Sequence, residues 1–261
     1  NDYIKRNLSL GWPLALNALL MQSMLMIDTL LVSPLGEVSL AAMGIATTIV
    51  SFILGIQMAL ANGTQLVMSR AVGSGSKVKL ANAYWSGMLI NLAVAILFWL
   101  LLIWLEQDLI LWLTDNNTLY VEIGAYLDVA KYLVLFTAIT QVITAMFNAL
   151  GSSKIPFKSY LIELPINAFA SYFLIHGVHE WQGLGVVGAA IGSVIAMTLR
   201  MLFLSVCLRY QQDLNLTFSS KLPAFISNIK LHFVEIFPVA ANVTMLSIGA
   251  TIYQLLYSQL S

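Results

Sequence analysis

The sequence predicts an all-α, polytopic membrane protein built as a transmembrane helix bundle. Three observations predict it. Of the 261 residues, 59% are hydrophobic and only 9% are charged, with a mean hydropathy of +0.86, whereas soluble domains carry about 25% charged residues. The apolar residues fall into seven continuous runs, each long enough to cross a hydrocarbon core of about 30 Å. Lys and Arg occupy every second connection between the runs and are absent from the others. This composition excludes a soluble fold and intrinsic disorder. The balance of 12 Lys+Arg against 12 Asp+Glu removes the case for a nucleic-acid partner. The expected surroundings are the lipid bilayer. One cysteine, Cys207, is too few for an internal disulfide or a Cys-based zinc site.

The runs cover residues 9–33, 39–68, 82–105, 121–150, 157–177, 184–208 and 233–258. Several exceed 20 residues, which implies tilt or helix extending beyond the hydrocarbon. Their unbroken apolarity excludes the alternating pattern of an outer-membrane barrel strand. The first run follows Lys5 and Arg6 but is too long for a signal-peptide core and lacks a small-residue cleavage pattern, so it reads as an anchor. The chain opens on Asn1 and stops at Ser261 in or just after an apolar run, and is expected to be a piece of a longer polypeptide.

One set of connections contains Lys5, Arg6, Arg70, Lys77, Lys79, Lys154, Lys158, Arg209, Lys221 and Lys230. The alternate set contains Glu37, Glu106, Asp108, Asp115, Glu122, His179 and Glu180, with no Lys or Arg. Because basic loops stay in the cytoplasm, the N-terminus is expected inside, in a multi-pass protein of the plasma membrane, the bacterial inner membrane.

Shifting the first run by 225 residues lays Pro13, Ala15, Asn17, Ile27, Leu30, Leu31, Ser33 and Leu35 on Pro238, Ala240, Asn242, Ile252, Leu255, Leu256, Ser258 and Leu260. Shared composition explains the leucines; the Pro-x-Ala-x-Asn match points to a repeat. Six spans separate the copies, so the repeat is parallel, as in transporters made of two like-oriented halves around a central site. The expected organisation is a six-helix transmembrane lobe over 1–210, a cytoplasmic linker over 211–231, and the first helix of a second lobe over 232–261.

Ionisable groups at membrane depth are costly and face protein or water. Asp28 lies toward the outer end of the first run with no Lys or Arg within a helical turn. It reads either as a carboxylate that exchanges a proton or coordinates a sodium ion, or as a satisfied interfacial acid. Glu163, Asn167 and Ser171 form one stripe on the fifth run at spacing four. Asn167 and Ser171 share the depth of Asp28, so the stripe offers oxygens to a small cation or bonds between helices. Pro165 removes a backbone hydrogen bond within the same span. Glu163 and Arg200 share a depth and are expected to form a structural ion pair. Asp128 and Lys131, one turn apart, pair locally, and Glu235 sits at the inner mouth of the seventh run. The second run carries Gln57 and Asn62, and the first Gln22, as candidate substrate-cavity residues. Methionines (11) and aromatics (11%) suit either an adaptable apolar pocket or simple packing. No phosphate loop, HExxH or nucleophile motif is present, so no enzyme is expected.

The segments Gly11-Trp12-Pro13, Met26-Ile27-Asp28-Thr29, Leu40-Ala41-Ala42-Met43-Gly44, Ser69-Arg70-Ala71-Val72-Gly73-Ser74-Gly75, Asn148-Ala149-Leu150-Gly151 with Pro156, and Gly185-Val186-Val187-Gly188-Ala189-Ala190-Ile191 occur in this order. Together they resemble the multidrug and toxic compound extrusion (MATE) family over essentially the whole chain. The resemblance implies one lobe of a two-lobe, twelve-helix antiporter, plus the seventh helix. It implies export of small organic cations and drugs in exchange for Na+ or H+, with no cofactor beyond that coupling ion. It gives Asp28 the position of the first-helix coupling acid and places the fifth-helix pair of the family on Asn167 and Ser171, with a hydroxyl from the sixth span, Ser193, completing the cluster. Asp28 and Asn167 would then be the contacts of a sodium ion. The sequence departs from the family where Ser171 stands in place of a second acid or amide, and where the seventh helix carries no acid at mid-span. The full-length protein is expected to be monomeric. The runner-up reading is a lipid-linked oligosaccharide flippase of the same superfamily, which would need several unpaired intramembrane cations.

Overall fold

The computed structural model describes residues 22–211 and 222–260, together with Trp12, Leu16, Leu19, Leu20, Leu214 and Leu216. Lys5, Arg6, Pro13, Ala15, Asn17 and Lys221 lie outside the described residues, and with them the test of the Pro-x-Ala-x-Asn repeat.

Among the described residues, seven helices follow one another. Helix α1 is described over Gln22–Leu35 and tightens into a 3₁₀ turn at Ser33–Leu35, where Pro34 supplies a preset φ. Gly36 then holds φ at 111°, a conformation natural to glycine, and the chain turns into α2 (Glu37–Gly73). Helix α3 (Lys77–Leu113) starts at Ser76, whose hydroxyl accepts from the Lys79 amide. Helix α4 (Asn117–Ala149) starts at Asn116, whose carbonyl oxygen accepts from the amides of Thr118 and Leu119. Such caps satisfy amides that a helix leaves open at its start. Helix α5 (Lys154–His176) is joined to α6 (Val186–Arg209) by a small antiparallel hairpin, β1 (Gly177–Val178) and β2 (Trp181–Gln182). Among the described residues, the hairpin is the one β element, which an all-helix reading omits. Helix α7 (Leu222–Leu260) begins inside the expected linker.

The buried clusters show how the helices alternate. One cluster joins the end of α1 (Val32), the start of α2 (Ala42, Met43), the end of α3 (Ile110), the start of α4 (Ile123, Tyr126), the end of α5 (Ile175) and the start of α6 (Val186, Ala189). Another joins the end of α2 (Val67, Met68), the start of α3 (Leu80, Ala83), the ends of α4 (Met146, Phe147) and α6 (Leu204, Leu208), and α7 (Ile236, Ala240). Consecutive helices therefore run up and down between a hairpin end and a linker end. At the linker end the Trp85 indole nitrogen donates to the Leu216 carbonyl, and Arg70 lies 3.8 Å from Glu235 of α7.

Among the described residues, five helices are long and apolar enough to cross a bilayer: α2, α3, α4, α6 and Ala224–Leu246 of α7. The sequence predicts seven. Helix α5, with 23 residues, is about 34 Å long, but Lys154, Lys158, Glu163, Asn167 and Ser171 lower its apolarity; α1 is described over too short a stretch to span. The outer faces are apolar, with Trp104 and Trp112 of α3 80% and 81% exposed. Water would penalise such a surface, and lipid accepts it.

Candidate functional site

Helices α5 and α6 make the most intimate pair in the bundle, and small residues are the reason. Gly188, Gly192 and Ala196 recur at spacing four on α6, all buried. A side chain at Gly192 would collide with the hydroxyl and backbone of Ser171, and one at Gly188 with the backbone of Leu174 and Ile175. Small residues let membrane helices approach closely, and here the approach carries Ser193 into reach of the polar stripe on α5.

Asp28, only 9% exposed, meets that stripe from α1. The Asn167 side-chain amide donates to Asp28 Oδ1 at 3.0 Å. Ser193 Oγ lies 3.4 Å from Asp28 Oδ2 and 3.2 Å from Asn167 Oδ1. Ser171 Oγ donates to Asn167 Oδ1 at 3.3 Å. A serine hydroxyl has one proton, so Ser193 serves either Asp28 or Asn167 at any moment. The four residues sequence reasoning associates with coupling, Asp28, Asn167, Ser171 and Ser193, are thus brought together. Among the described residues the cluster holds one acid and no basic side chain. Tyr126 of α4 is buried in the same cluster as Val32, one turn beyond Asp28 on α1. Sequence reasoning missed Tyr126, because nothing local in α4 records a partner on α1.

One turn toward the linker end, Glu163 lies 3.5 Å from the Arg200 Nε. That Nε–H is donated to Ser159 Oγ at 3.0 Å, Nη2 reaches Thr144 Oγ1 at 3.4 Å, and the guanidinium lies 3.7 Å from the centre of the Tyr160 ring. Ser159 stands four residues before Glu163, so the stripe on α5 extends one turn further back than Glu163, Asn167 and Ser171. That signal was available in the sequence. The other intramembrane cation, Lys131, pairs with Asp128 at 2.7 Å and with Glu106 of α3 at 3.3 Å. Glu106, assigned by sequence to a connection, is buried within α3.

The three substrate-cavity candidates do not converge. Gln22 and Asn62 are exposed on α1 and α2. Gln57 is fully buried and donates to the Val134 carbonyl at 2.9 Å, tying α2 to α4. A cavity of about 260 Å³ opens instead beside the Glu163–Arg200 pair, lined also by Met24, Met58, Thr137, Gln141 and Met197.

The MatE family model matches residues 13–173. The chain belongs to the MatE family. Among its relatives, the probable multidrug resistance protein NorM of Rhizobium meliloti (strain 1021) is 25% identical over 192 residues, 74% of this chain and 41% of that protein. The multidrug resistance protein NorM of Burkholderia vietnamiensis is 26% identical over 191 residues, 73% and 41% of the two chains. This MatE chain thus spans less than half the length of these curated relatives. A crystal structure of MATE in the bent conformation superposes with a TM-score of 0.83 at 19% identity, covering 97% of this chain and 55% of that one. The outward-facing conformation of a multidrug resistance MATE family transporter of the MOP superfamily gives 0.81 at 18% identity, covering 95% and 54%. The MatE fold is therefore a polytopic helical membrane fold, and this chain matches about half of it.

Proposed function

We propose that this chain is the first lobe of a secondary antiporter that exports organic cations in exchange for Na+ or H+, with Asp28 as the coupling group. The observation that carries the reading is a buried carboxylate held by amide and hydroxyl groups with no basic side chain in the cluster. Membership of the MatE family and relatives named multidrug resistance proteins support it.

The chemistry follows from the donor set. Asp28 with a negative charge accepts from the Asn167 amide and the Ser193 hydroxyl. When Asp28 gains a proton or a sodium ion, the Asn167 amide turns its oxygen toward Asp28, and its nitrogen then faces Ser171 and Ser193, whose oxygens accept. Asp28, Asn167 and the two hydroxyls supply the hard oxygen contacts a sodium ion prefers. A cation seated there neutralises the charge that attracts a cationic drug, so the two compete. Exchange on this scheme needs no covalent step.

The linker end is the cytoplasmic end, supported by Arg70, Lys77, Lys79, Lys154, Lys158 and Arg209 there and by Glu37, Asp115 and Glu180 at the hairpin end. The working protein is a monomer in the inner membrane with a second lobe completing the cavity. The flippase reading finds no support, because Lys131 and Arg200 are each paired with carboxylates.

The test is efflux from vesicles containing the full-length protein, with sodium and pH gradients imposed separately. Export driven by one of the two gradients is expected. Equilibration unaffected by either would reduce the protein to a passive pore and sink the proposal.

A further inference from the structure

A groove of about 580 Å³ lies away from the coupling cluster, between α2 and α3 on the outside of the bundle. Its shape follows from how the two helices part. Toward the linker end they touch: the Asn91 amide donates to Thr64 Oγ1 at 3.0 Å, and a side chain at Gly87 would collide with Thr64. Toward the hairpin end α4 supplies the floor between them, with Val134 and Ala138 packed in one cluster with Ile53 and Leu102. The walls include Ile45, Ile49 and Phe52 of α2 and Phe98, Leu105 and Leu109 of α3. Thr48, the one polar side chain among the described lining residues, donates its hydroxyl to the Gly44 carbonyl at 2.7 Å. The groove therefore offers an occupant no free donor, and the occupant must be apolar. Spread over the ~22 Å of helix rise between Phe98 and Leu113, the volume has a mean cross-section of ~26 Å², room for an alkyl chain but a third of the ~80 Å² of a helix ~10 Å across.

Charge at the mouth selects the headgroup. Asp108 stands seven residues after Leu101 and three after Leu105, at the edge of the groove face of α3, and it is exposed. It lies ~15 Å of helix rise beyond Phe98, half of a hydrocarbon core of ~30 Å. The exposed Trp104 and Trp112, one turn to either side of it, are of the type that sits at headgroup level. The hairpin-end connections carry Glu37, Asp115, Glu122 and Glu180 and no Lys or Arg, and Lys131 is already paired with Glu106 and Asp128. We propose that the α2–α3 groove is a binding site for phosphatidylethanolamine, one acyl chain lying between the helices and the headgroup ammonium on Asp108. Phosphatidylglycerol brings the same chains with a net negative charge, which this end of the bundle repels. The site rests on the export reading only for the leaflet, the outer one, that supplies the lipid.

The test equilibrates the full-length protein in mild detergent with equimolar phosphatidylethanolamine and phosphatidylglycerol of identical chains, and counts retained lipids by native mass spectrometry. The parent is expected to hold one lipid more than the Thr48→Phe, Leu109→Trp variant, whose new side chains fill the groove. That lipid should be phosphatidylethanolamine by about fivefold, the yield of one exposed ion pair. Leu97→Trp, exposed on α3 outside the groove lining, controls for the general lipid shell and should keep the parental count. Asp108→Asn should keep the lipid and lose the preference; as a surface change it preserves the fold, so it decides the matter even where the filled variant is unstable. Four results would each overturn the proposal: equal retention of the two lipids by the parent, the parental preference in Asp108→Asn, the parental count in a filled variant of parental melting temperature, or a dimer mass that filling abolishes. The last would assign the groove to a second copy of the chain. Because the readout is lipid retention, loss of this site is distinguishable from failure of gradient-driven export, which the Asp28 variants report.

Discussion

Helix α5 presents two carboxylate environments one turn apart, and they are opposites. At Asn167, the carboxylate of Asp28 has hydrogen-bond donors but no basic side chain in its cluster. At Glu163, carboxylate Oε2 has a cation 3.5 Å away but no hydrogen-bond partner among the described residues. A charge held by neutral dipoles can come and go as an ion or proton binds. A charge fixed by a buried guanidinium cannot leave without stranding its partner. The same stripe of side chains therefore separates an exchangeable site from an anchored one, and the difference lies in which helix faces it: α1 brings no base, while α6 brings Arg200.

Breaking the anchored site should have the largest effect. Arg200→Met leaves Glu163 as an unpaired buried charge and is expected to lower stability by ~3–5 kcal/mol, while adding Glu163→Leu recovers most of that loss. Denaturant melts in detergent or lipid check both. A double variant as unstable as the single one would mean that Arg200 acts through Ser159, Thr144 and Tyr160 rather than through Glu163.

Disturbing the approach that creates the exchangeable site comes next. Gly192→Val drives a side chain into Ser171 and should cost ~1–3 kcal/mol by overpacking, moving Ser193 away from Asp28. The prediction sharpens the comparison if ion-coupled efflux falls further than stability does; a variant with parental efflux and stability would show that α5 and α6 tolerate separation.

The smallest change is Ser171→Ala. It removes one of two hydroxyls on Asn167 Oδ1 while Ser193 remains, so about 1 kcal/mol of stability is expected to be lost. Efflux should persist with an altered dependence on the coupling ion. An unaltered ion dependence would place Ser171 in helix packing alone.

Much of this contrast was legible in the sequence because it rests on spacing and scarcity. With so few charges, Asp28, Glu163 and Arg200 stand out against apolar runs, and spacing four on one helix puts Glu163, Asn167 and Ser171 on one face. The up-and-down order followed from run length and loop charge. What was not legible depends on distances between helices. Tyr126 joins the buried cluster around Val32 of α1 only because the start of α4 packs at that end of the bundle, and Gln57 turns into α4 rather than toward a cavity. Glu106 reads as a loop acid in one dimension and as a partner of Lys131 in three. Helix α5 escapes a purely hydropathic test for the reason that makes it functional: its polar face is spent inside the bundle.

The central claim is that occupation of Asp28 by a proton or sodium ion and binding of a cationic drug exclude one another. The most direct measurement titrates a fluorescent organic cation such as ethidium onto the full-length protein at several sodium concentrations and pH values, in the parent and in Asp28→Asn. The parent should lose affinity by ~5–150-fold as either sodium or protons rise, and Asp28→Asn should bind with an affinity independent of both. An Asp28→Asn protein that keeps the parental ion dependence would place the coupling group elsewhere and contradict the account.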